Sequence, residues 1–318
     1  MIPFLLAALG LAILLVAGDL LVRGAVNLAL RLGIPALIVS LTIVAFGTSA
    51  PELLISVQSV LGGAPGIAIG NVVGSNTANI LLVLGVPALL AGLPGSASDI
   101  TKTYRFMLAA SVLFIVLCFF GPLTWWHGLI LLAGLAFVLG DAFRTARAHR
   151  RNGEDDEEED VEGADTEMAG WKLSVFLILG LIGLPLGAHL LVENATLIAR
   201  NFGVSETVIG LTFVAIGTSL PELATTVMAA FRKEADVAMG NVIGSNMFNL
   251  LAIIGIASLV GPIPVPHEFL VFDLWVMLAC SLLIAPIVFG RQRIGYRWGF
   301  ALTIAYIAYL VGILVFEV

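Results

Sequence analysis

The chain has 318 residues, 59% of them hydrophobic and 12% charged, with a formal net charge of −7. A soluble protein of this size carries roughly twice that charged fraction, and no hydrophilic stretch here is long enough to bury its own core, so soluble enzymes and nucleic-acid binders are excluded. Ten of the 22 acidic residues fall between Glu154 and Glu167, which leaves the rest close to charge balance.

A spanning helix needs roughly 20 mostly apolar residues. Ten spans are predicted, near 3–22, 33–60, 68–91, 105–120, 126–143, 172–192, 204–230, 236–260, 269–289 and 298–316, which makes the fold class an all-α polytopic membrane protein. The first span has no basic residues before it and no clear small-residue cleavage site, so it reads as a retained helix rather than a signal peptide. The second and seventh are long and carry proline, so each is predicted to be two half-helices. The third and eighth carry a stripe of Asn and Ser and are candidates for interruption. Cys118 and Cys280 lie in apolar spans and read as small core residues without disulfide or thiol chemistry. Residues 144–171 run from basic (Arg144, Arg147, Arg150, Arg151) to acidic (Glu154 to Asp160) and read as a solvated linker between domains at 1–143 and 172–318. Nothing there spaces carboxylates like a calcium-binding loop.

The basic residues orient the chain. With ten spans, 14 of the 15 Lys and Arg fall on one side and only Arg200 on the other. The positive-inside rule makes that side cytoplasmic, with the linker inside and both termini outside.

A polar sentence is written twice. Gly47-Thr48-Ser49-Ala50-Pro51-Glu52 and Gly70-Asn71-Val72-Val73-Gly74-Ser75-Asn76-Thr77-Ala78-Asn79 recur, 170 residues on, as Gly217-Thr218-Ser219-Leu220-Pro221-Glu222 and Gly240-Asn241-Val242-Ile243-Gly244-Ser245-Asn246-Met247-Phe248-Asn249. Ten of 13 positions are identical between 41–53 and 211–223. Five spans per half is an odd number, so the two halves enter the membrane in opposite directions as inverted-topology repeats.

A carboxylate in hydrocarbon is costly and marks a functional site. Pro51 removes a helical hydrogen bond from the carbonyl of Gly47, and freed carbonyls at membrane depth must face protein or a wet cavity. Thr48, Glu52 and Ser56 share a helix face at spacing four, as do Thr218, Glu222 and Thr226. Asn71, Ser75 and Asn79 form a second stripe, matched by Asn241, Ser245 and Asn249. The motif holds no His or Cys, and all-oxygen ligation selects Na⁺, Ca²⁺, K⁺ or Mg²⁺ over zinc or copper. The Gly70/Gly74 and Gly240/Gly244 pairs read as close-packing patterns. Asp19 and Asp141 read as side chains reaching water near span ends, and His127, His149, His189 and His267 as surface residues.

The duplicated strings resemble the alpha repeats of the sodium/calcium exchanger family, within the calcium/cation antiporter superfamily. The resemblance covers about 70 positions per half and implies a prokaryotic-type exchanger with ten helices, alternating access, and Na⁺ entry driving Ca²⁺ extrusion. Carried over by position, Glu52 and Glu222 are the central Ca²⁺ ligands shared with Na⁺, with Thr48 and Thr218 beside them. Ser49, Ser75, Ser219 and Ser245, with the carbonyls of Ala45 and Ala215, are flanking Na⁺ ligands, and Asn79 and Asn249 sit at the centre. Asn at 249, where some relatives carry Asp, weakens a potassium-dependent reading. The implied cargo is Ca²⁺ and Na⁺, with no cofactor and no obligate protein partner, in a prokaryotic inner membrane. The nearest rival is a calcium/proton antiporter of the same fold in which the glutamates carry protons. The richness in neutral oxygens favours Na⁺ over it. An intramembrane aspartyl protease built on Asp19 and Asp141 is disfavoured, because those residues occupy unmatched places in the two halves. A passive channel would lack coupled counter-transport.

Overall fold

The structure, a computed structural model, describes residues 2–95, 100–152, 168–203 and 215–316. It is helical throughout these residues, with no strand beyond two isolated backbone pairings. Seven described helices are long and apolar enough to cross a membrane: α1 (Ile2–Leu32), α4 (Pro65–Leu90), α5 (Thr101–Cys118), α6 (Trp125–His149, helical to Asn152), α7 (Gly170–Asn201), α10 (Ala235–Val260) and α11 (Phe269–Phe289). The pair α2 (Ala36–Thr48) and α3 (Ala50–Leu61), bent by 43°, makes an eighth if taken as one span. Three further apolar helices are α8 (Ala215–Thr218), α9 (Leu220–Phe231) and α12 (Tyr296–Phe316). The acidic block from Glu154 to Asp160 and the start of the seventh predicted span, 204–214, lie outside the described residues.

The two breaks follow from the repeated proline. Pro51 and Pro221 sit in the first turn of α3 and α9, where a missing N–H costs nothing. The residue that ends the preceding helix leaves helical geometry identically in both copies, Ser49 at φ −85, ψ 5 and Ser219 at φ −86, ψ 4. Each serine carbonyl then accepts the N–H of Leu53 or Leu223, at 3.2 and 2.9 Å. The third and eighth predicted spans are continuous rather than broken. Each widens into a π-turn instead, at Asn79–Val83 and Phe248–Ile253. Such a turn keeps the backbone bonded while shifting side-chain register, and it recurs at functional sites.

Burial sorts the helices into a centre and a rim. In α10, 89% of the apolar window is inside the protein, against 6% in α6. Helices α4 and α10 therefore form the core, and α6 faces the surroundings. Against the core lies a separate antiparallel pair, α1 and α7, joined by small residues. Gly10 meets Gly187, Ala17 meets Gly183, and Leu21 meets Gly180; a Cβ on Gly180 would lie 2.7 Å from that of Leu21. Small residues are what let helices in lipid approach this closely. Short backbone pairings, Leu93 with Ile294 and Leu123 with Ile263, tie loops together at 2.8–3.0 Å.

Several expectations are corrected. Helix α1 runs ten residues past the predicted end at 22, because Gly24, Ala25, Val26 and Ala29 supply a buried stripe that continues the helix. Asp19 is therefore not at a helix end. It binds Arg232 through Nε at 2.6 Å and Arg23 at 3.0 Å, fastening α1 to the residue that follows α9. Asp141 binds Lys102 at 2.6 Å. Residues 144–152, assigned to the linker, continue α6. His127 is buried, not at the surface: its Nδ1 accepts the N–H of Thr124 at 3.0 Å, the reciprocal half of a helix-start cap, and its ring stacks on Trp126. His189 and His267 are exposed, as expected.

The Asp19 contact gives a first prediction. Asp19→Asn is expected to lower thermal stability by about 1–3 kcal/mol, the scale of a hydrogen bond to a charged group in a partly buried setting. Thermal denaturation of the purified chain checks it, and an unchanged midpoint would show that α1 is held by its glycines alone.

Candidate cation site

The two helix breaks meet where Ser49 of one reaches Glu222 of the other, and the glutamates that follow them are buried. Glu52 and Glu222, each in the first turn after its break, are 1% exposed. Neither forms an ion pair among the described residues. Ser49, Ser75, Ser219, Ser245, Asn79, Asn249 and Thr48 are buried with them, while Thr218 is half-buried at the second break.

Asn71 and Asn241 do not reach into the centre. Asn71 donates its amide to the backbone carbonyl of Glu52 at 3.2 Å and to the Ser56 hydroxyl at 3.1 Å. Asn241 makes the same two bonds to Glu222 and Thr226, at 3.2 and 3.1 Å. These amides clamp the turn that carries each glutamate, so the lower part of both predicted stripes is spent on holding the carboxylates in place. The Ser and Asn residues further along remain for ligation.

Contacts between the halves run through the motif. Ser49 donates to Glu222 Oε1 at 3.1 Å. Thr48 reaches Asn241 Oδ1 at 3.2 Å, the Ser245 hydroxyl at 3.4 Å and the carbonyl of Ala45 at 3.3 Å. That carbonyl also accepts the N–H of Ser49 at 3.0 Å, whereas in the second copy the N–H of Ser219 goes to Ile216. Asn79 donates to Asn246 Oδ1 at 3.0 Å, and Asn249 donates to Asn76 Oδ1 at 3.2 Å. The donors Asn79 and Asn249 are 170 apart, and so are the acceptors Asn76 and Asn246, so the two hydrogen bonds are images of each other under the offset of the sequence. Hydrogen bonds thus join Glu222, Thr48, Ser49, Ser245 and the Ala45 carbonyl in one set and Asn79 and Asn249, through Asn76 and Asn246, in another, while Glu52 is tied to Asn71 by its backbone carbonyl. Ser75, Ser219 and Thr218 sit at matching places on the same elements, and Ala215 begins the short helix that ends at Thr218.

The oxygen inventory is uneven. Six buried side-chain oxygens among the described residues have no hydrogen-bond donor: both of Glu52, Oε2 of Glu222, Oδ1 of Asn79, Oδ1 of Asn249 and Oγ of Ser219. All six belong to the residues singled out from the sequence. A buried oxygen without a donor costs free energy, and an ionised one much more, unless a cation satisfies it. No three of His, Cys, Asp and Glu cluster among the described residues, so the chemistry on offer is hard oxygen ligation with two formal negative charges. Asn76, Asn246, Met107 and Met277 were not singled out beforehand. The first two stand inside the repeated strings, and the two methionines are also 170 apart.

A Cβ on Gly240 would lie 2.8 Å from that of Ser40, and one on Gly244 would lie 2.6 Å from that of Ala45. The second glycine pair is therefore pressed against α2, as the packing reading expects. For Gly70 the nearest described atom to such a Cβ belongs to Phe269, at 3.8 Å.

Comparison with known proteins shows the family to which the chain is similar. The family model for sodium/calcium exchanger protein matches residues 2–140 and 172–315. Sodium/calcium exchanger MaX1 of Methanosarcina acetivorans is 35% identical, over 98% of both chains. Inner membrane protein YrbG of Escherichia coli is 35% identical, over 96% of this chain and 94% of its own. A solved structure of the sodium-calcium exchanger NCX_Mj, soaked with Na⁺ and Sr²⁺, superposes with a TM-score of 0.81 at 31% identity, covering 98% of each chain.

Proposed function

We propose that this chain, which belongs to the sodium/calcium exchanger protein family, couples Na⁺ influx to Ca²⁺ efflux across a prokaryotic inner membrane by alternating access at a site built around Glu52 and Glu222. At the coarser level it is an integral membrane cation antiporter, and its relatives are transporters rather than enzymes. The observation that carries the finer reading is the set of six donor-less buried oxygens, two carboxylates among them. Two carboxylates balance one Ca²⁺ or at least two Na⁺. A filled, neutral site moves past an apolar barrier far more readily than two bare carboxylates, and that difference makes the exchange obligatory.

In this reading Glu52 and Glu222 bind Ca²⁺ and share Na⁺, with Thr48 and Thr218 at the breaks. Ser49, Ser75, Ser219, Ser245 and the carbonyls of Ala45 and Ala215 flank them for Na⁺, and Asn79 and Asn249 lie between. Ten spans form two inverted five-helix repeats, 1–143 and 172–318, with the segment 144–171 in the cytoplasm and both termini outside. Support comes from the sorting of 14 of 15 Lys and Arg to one side and from hydrogen bonds that repeat at an offset of 170.

Alternating access draws support from asymmetry. Ser49 holds Glu222, but among the described residues the matching hydroxyl of Ser219 has no partner and the Glu52 carboxylate has no donor. The opposite state exchanges the two arrangements, with Ser219 on Glu52 and Ser49 released. Helices α1 and α7 are the moving pair: they pack tightly on each other, and α7 covers both break glycines, Leu181 lying over Gly47 and Val192 over Gly217.

Radiolabelled Ca²⁺ uptake into proteoliposomes tests the reading. Vesicles loaded with Na⁺ are expected to accumulate Ca²⁺, and vesicles loaded with choline or K⁺, or carrying only a pH gradient, are not. Uptake driven by the pH gradient alone would replace Na⁺ by the proton as coupling ion. No uptake under any gradient would overturn the Ca²⁺ assignment.

A further inference from the structure

Behind Asn79 and Asn249 stands a second layer of polar side chains that meets them at their amide nitrogens. Asn246 accepts the Nδ2 hydrogen of Asn79 on its Oδ1, and its own Nδ2 faces the backbone carbonyl of Asn76 at 3.4 Å and the sulfur of Met107 at 3.8 Å. Asn76 accepts the Nδ2 hydrogen of Asn249 on its Oδ1, and its Nδ2 faces the sulfur of Met277 at 3.7 Å. Asn76 and Asn246 are each 1% exposed, and Met107 and Met277 are fully buried.

We propose that Asn76 and Asn246, backed by the thioethers of Met277 and Met107, are positioning residues that fix which end of the Asn79 and Asn249 amides faces the transported cation. The inference rests on the antiport reading above and assigns to that site an outer layer that sets its polarity. An amide side chain is nearly symmetric in shape, and only its hydrogen bonds decide whether oxygen or nitrogen points a given way. A thioether sulfur accepts but cannot donate. Placed against Asn246 and Asn76, it must be met by their nitrogens. Their oxygens are then turned inward, where they can only be met by the nitrogens of Asn79 and Asn249. The oxygens of Asn79 and Asn249 are left facing away from this layer, and these are two of the six buried oxygens without a donor. Reversing Asn246 or Asn76 would set oxygen against sulfur and nitrogen against nitrogen, and reversing Asn79 or Asn249 would set oxygen against oxygen and turn N–H groups toward a cation.

Partners of this kind, one layer behind the ligands, typically contribute 10- to 100-fold to metal affinity. The test uses the full chain, with two readouts: the Ca²⁺ concentration giving half-maximal thermal stabilisation in detergent, and that giving half-maximal uptake into Na⁺-loaded proteoliposomes. Asn246→Leu removes the acceptor that holds Asn79 and is expected to raise both values about 10- to 100-fold, more than it lowers the maximal rate. Asn246→Asp keeps an oxygen for Asn79 and is expected to bring both back to within about threefold of the parent chain. Met107→Leu removes only the sulfur at conserved volume and is expected to raise them about threefold. Equal effects of Leu and Asp at 246 would overturn the inference. So would a loss of Ca²⁺-free stability in Asn246→Leu with unchanged half-saturation. If Asn246→Leu does not fold, Met107→Leu decides, and half-saturation at the parent value overturns the inference. Absence of any Ca²⁺-dependent stabilisation or uptake in the parent chain would instead overturn the antiport reading, and this inference with it.

Discussion

Glu52→Gln is expected to abolish Ca²⁺ transport while leaving a folded protein, and Glu222→Gln is expected to do the same. The carboxylates are buried, form no ion pair among the described residues, and keep three oxygens between them without a donor. Gln conserves shape but removes one of the two charges that balance Ca²⁺. Removing one partner of a buried charge pair costs about 3–5 kcal/mol, or on the order of 10²–10³-fold in affinity. The stability of the cation-free protein moves the other way. Two carboxylates facing one cluster repel each other and lack solvation, so a neutral Gln at either place leaves the cation-free chain at least as stable as the parent. The pair of readings discriminates. A structural glutamate would lose stability and transport together. A ligand loses transport and Ca²⁺-dependent stabilisation, which for the parent chain is about 2.7 kcal/mol at a hundred times the dissociation constant, and keeps its cation-free midpoint. Retained exchange in Glu52→Gln would remove Glu52 from the mechanism.

Legibility in the sequence tracked covalent cause. Pro51 and Pro221 break helices because they lack an N–H, so both breaks could be read without any structure, and the structure places them at Ser49 and Ser219. The buried cluster was legible for a similar reason: a carboxylate in an apolar span has few bland explanations. What remained hidden depends on pairing across space. Asn71 and Asn241 look like ligands on a stripe with Ser75 and Ser245, yet they bond to the carbonyls of Glu52 and Glu222, and no spacing rule separates the two roles. The length of α1 was missed because Arg23 and Arg31 interrupt the apolar run. Its buried stripe is made of glycine and alanine, which register weakly in hydropathy but strongly in packing. His127 was missed because a histidine at a span end is exposed by default, and only the Thr124 N–H, reached through a helix turn, gives it a buried role. Met107 and Met277 carry no sequence signal except their separation of 170.

A single methyl group at Gly244 is expected to lower stability, the reverse of its effect on an open helix face. In an exposed or roomy helix, Gly→Ala gains about 0.5–1 kcal/mol by restricting the unfolded backbone. At Gly244 the new Cβ would lie 2.6 Å from the Cβ of Ala45, 2.8 Å from the carbonyl oxygen of Leu41 and 3.0 Å from the Leu41 Cα. None of these is the loose end of a flexible side chain, so α2 itself must shift. Such overpacking costs about 1–3 kcal/mol, which outweighs the backbone gain. The displaced segment contains Ala45 and leads directly to Thr48 and Ser49, whose carbonyl and hydroxyls meet Asn241, Ser245 and Glu222. Gly244→Ala is thus expected to raise the Ca²⁺ concentration for half-maximal uptake as well as to lower the thermal midpoint. A midpoint equal to that of the parent chain would show that α10 and α2 separate easily, and that the close packing of this glycine does not hold the cluster together.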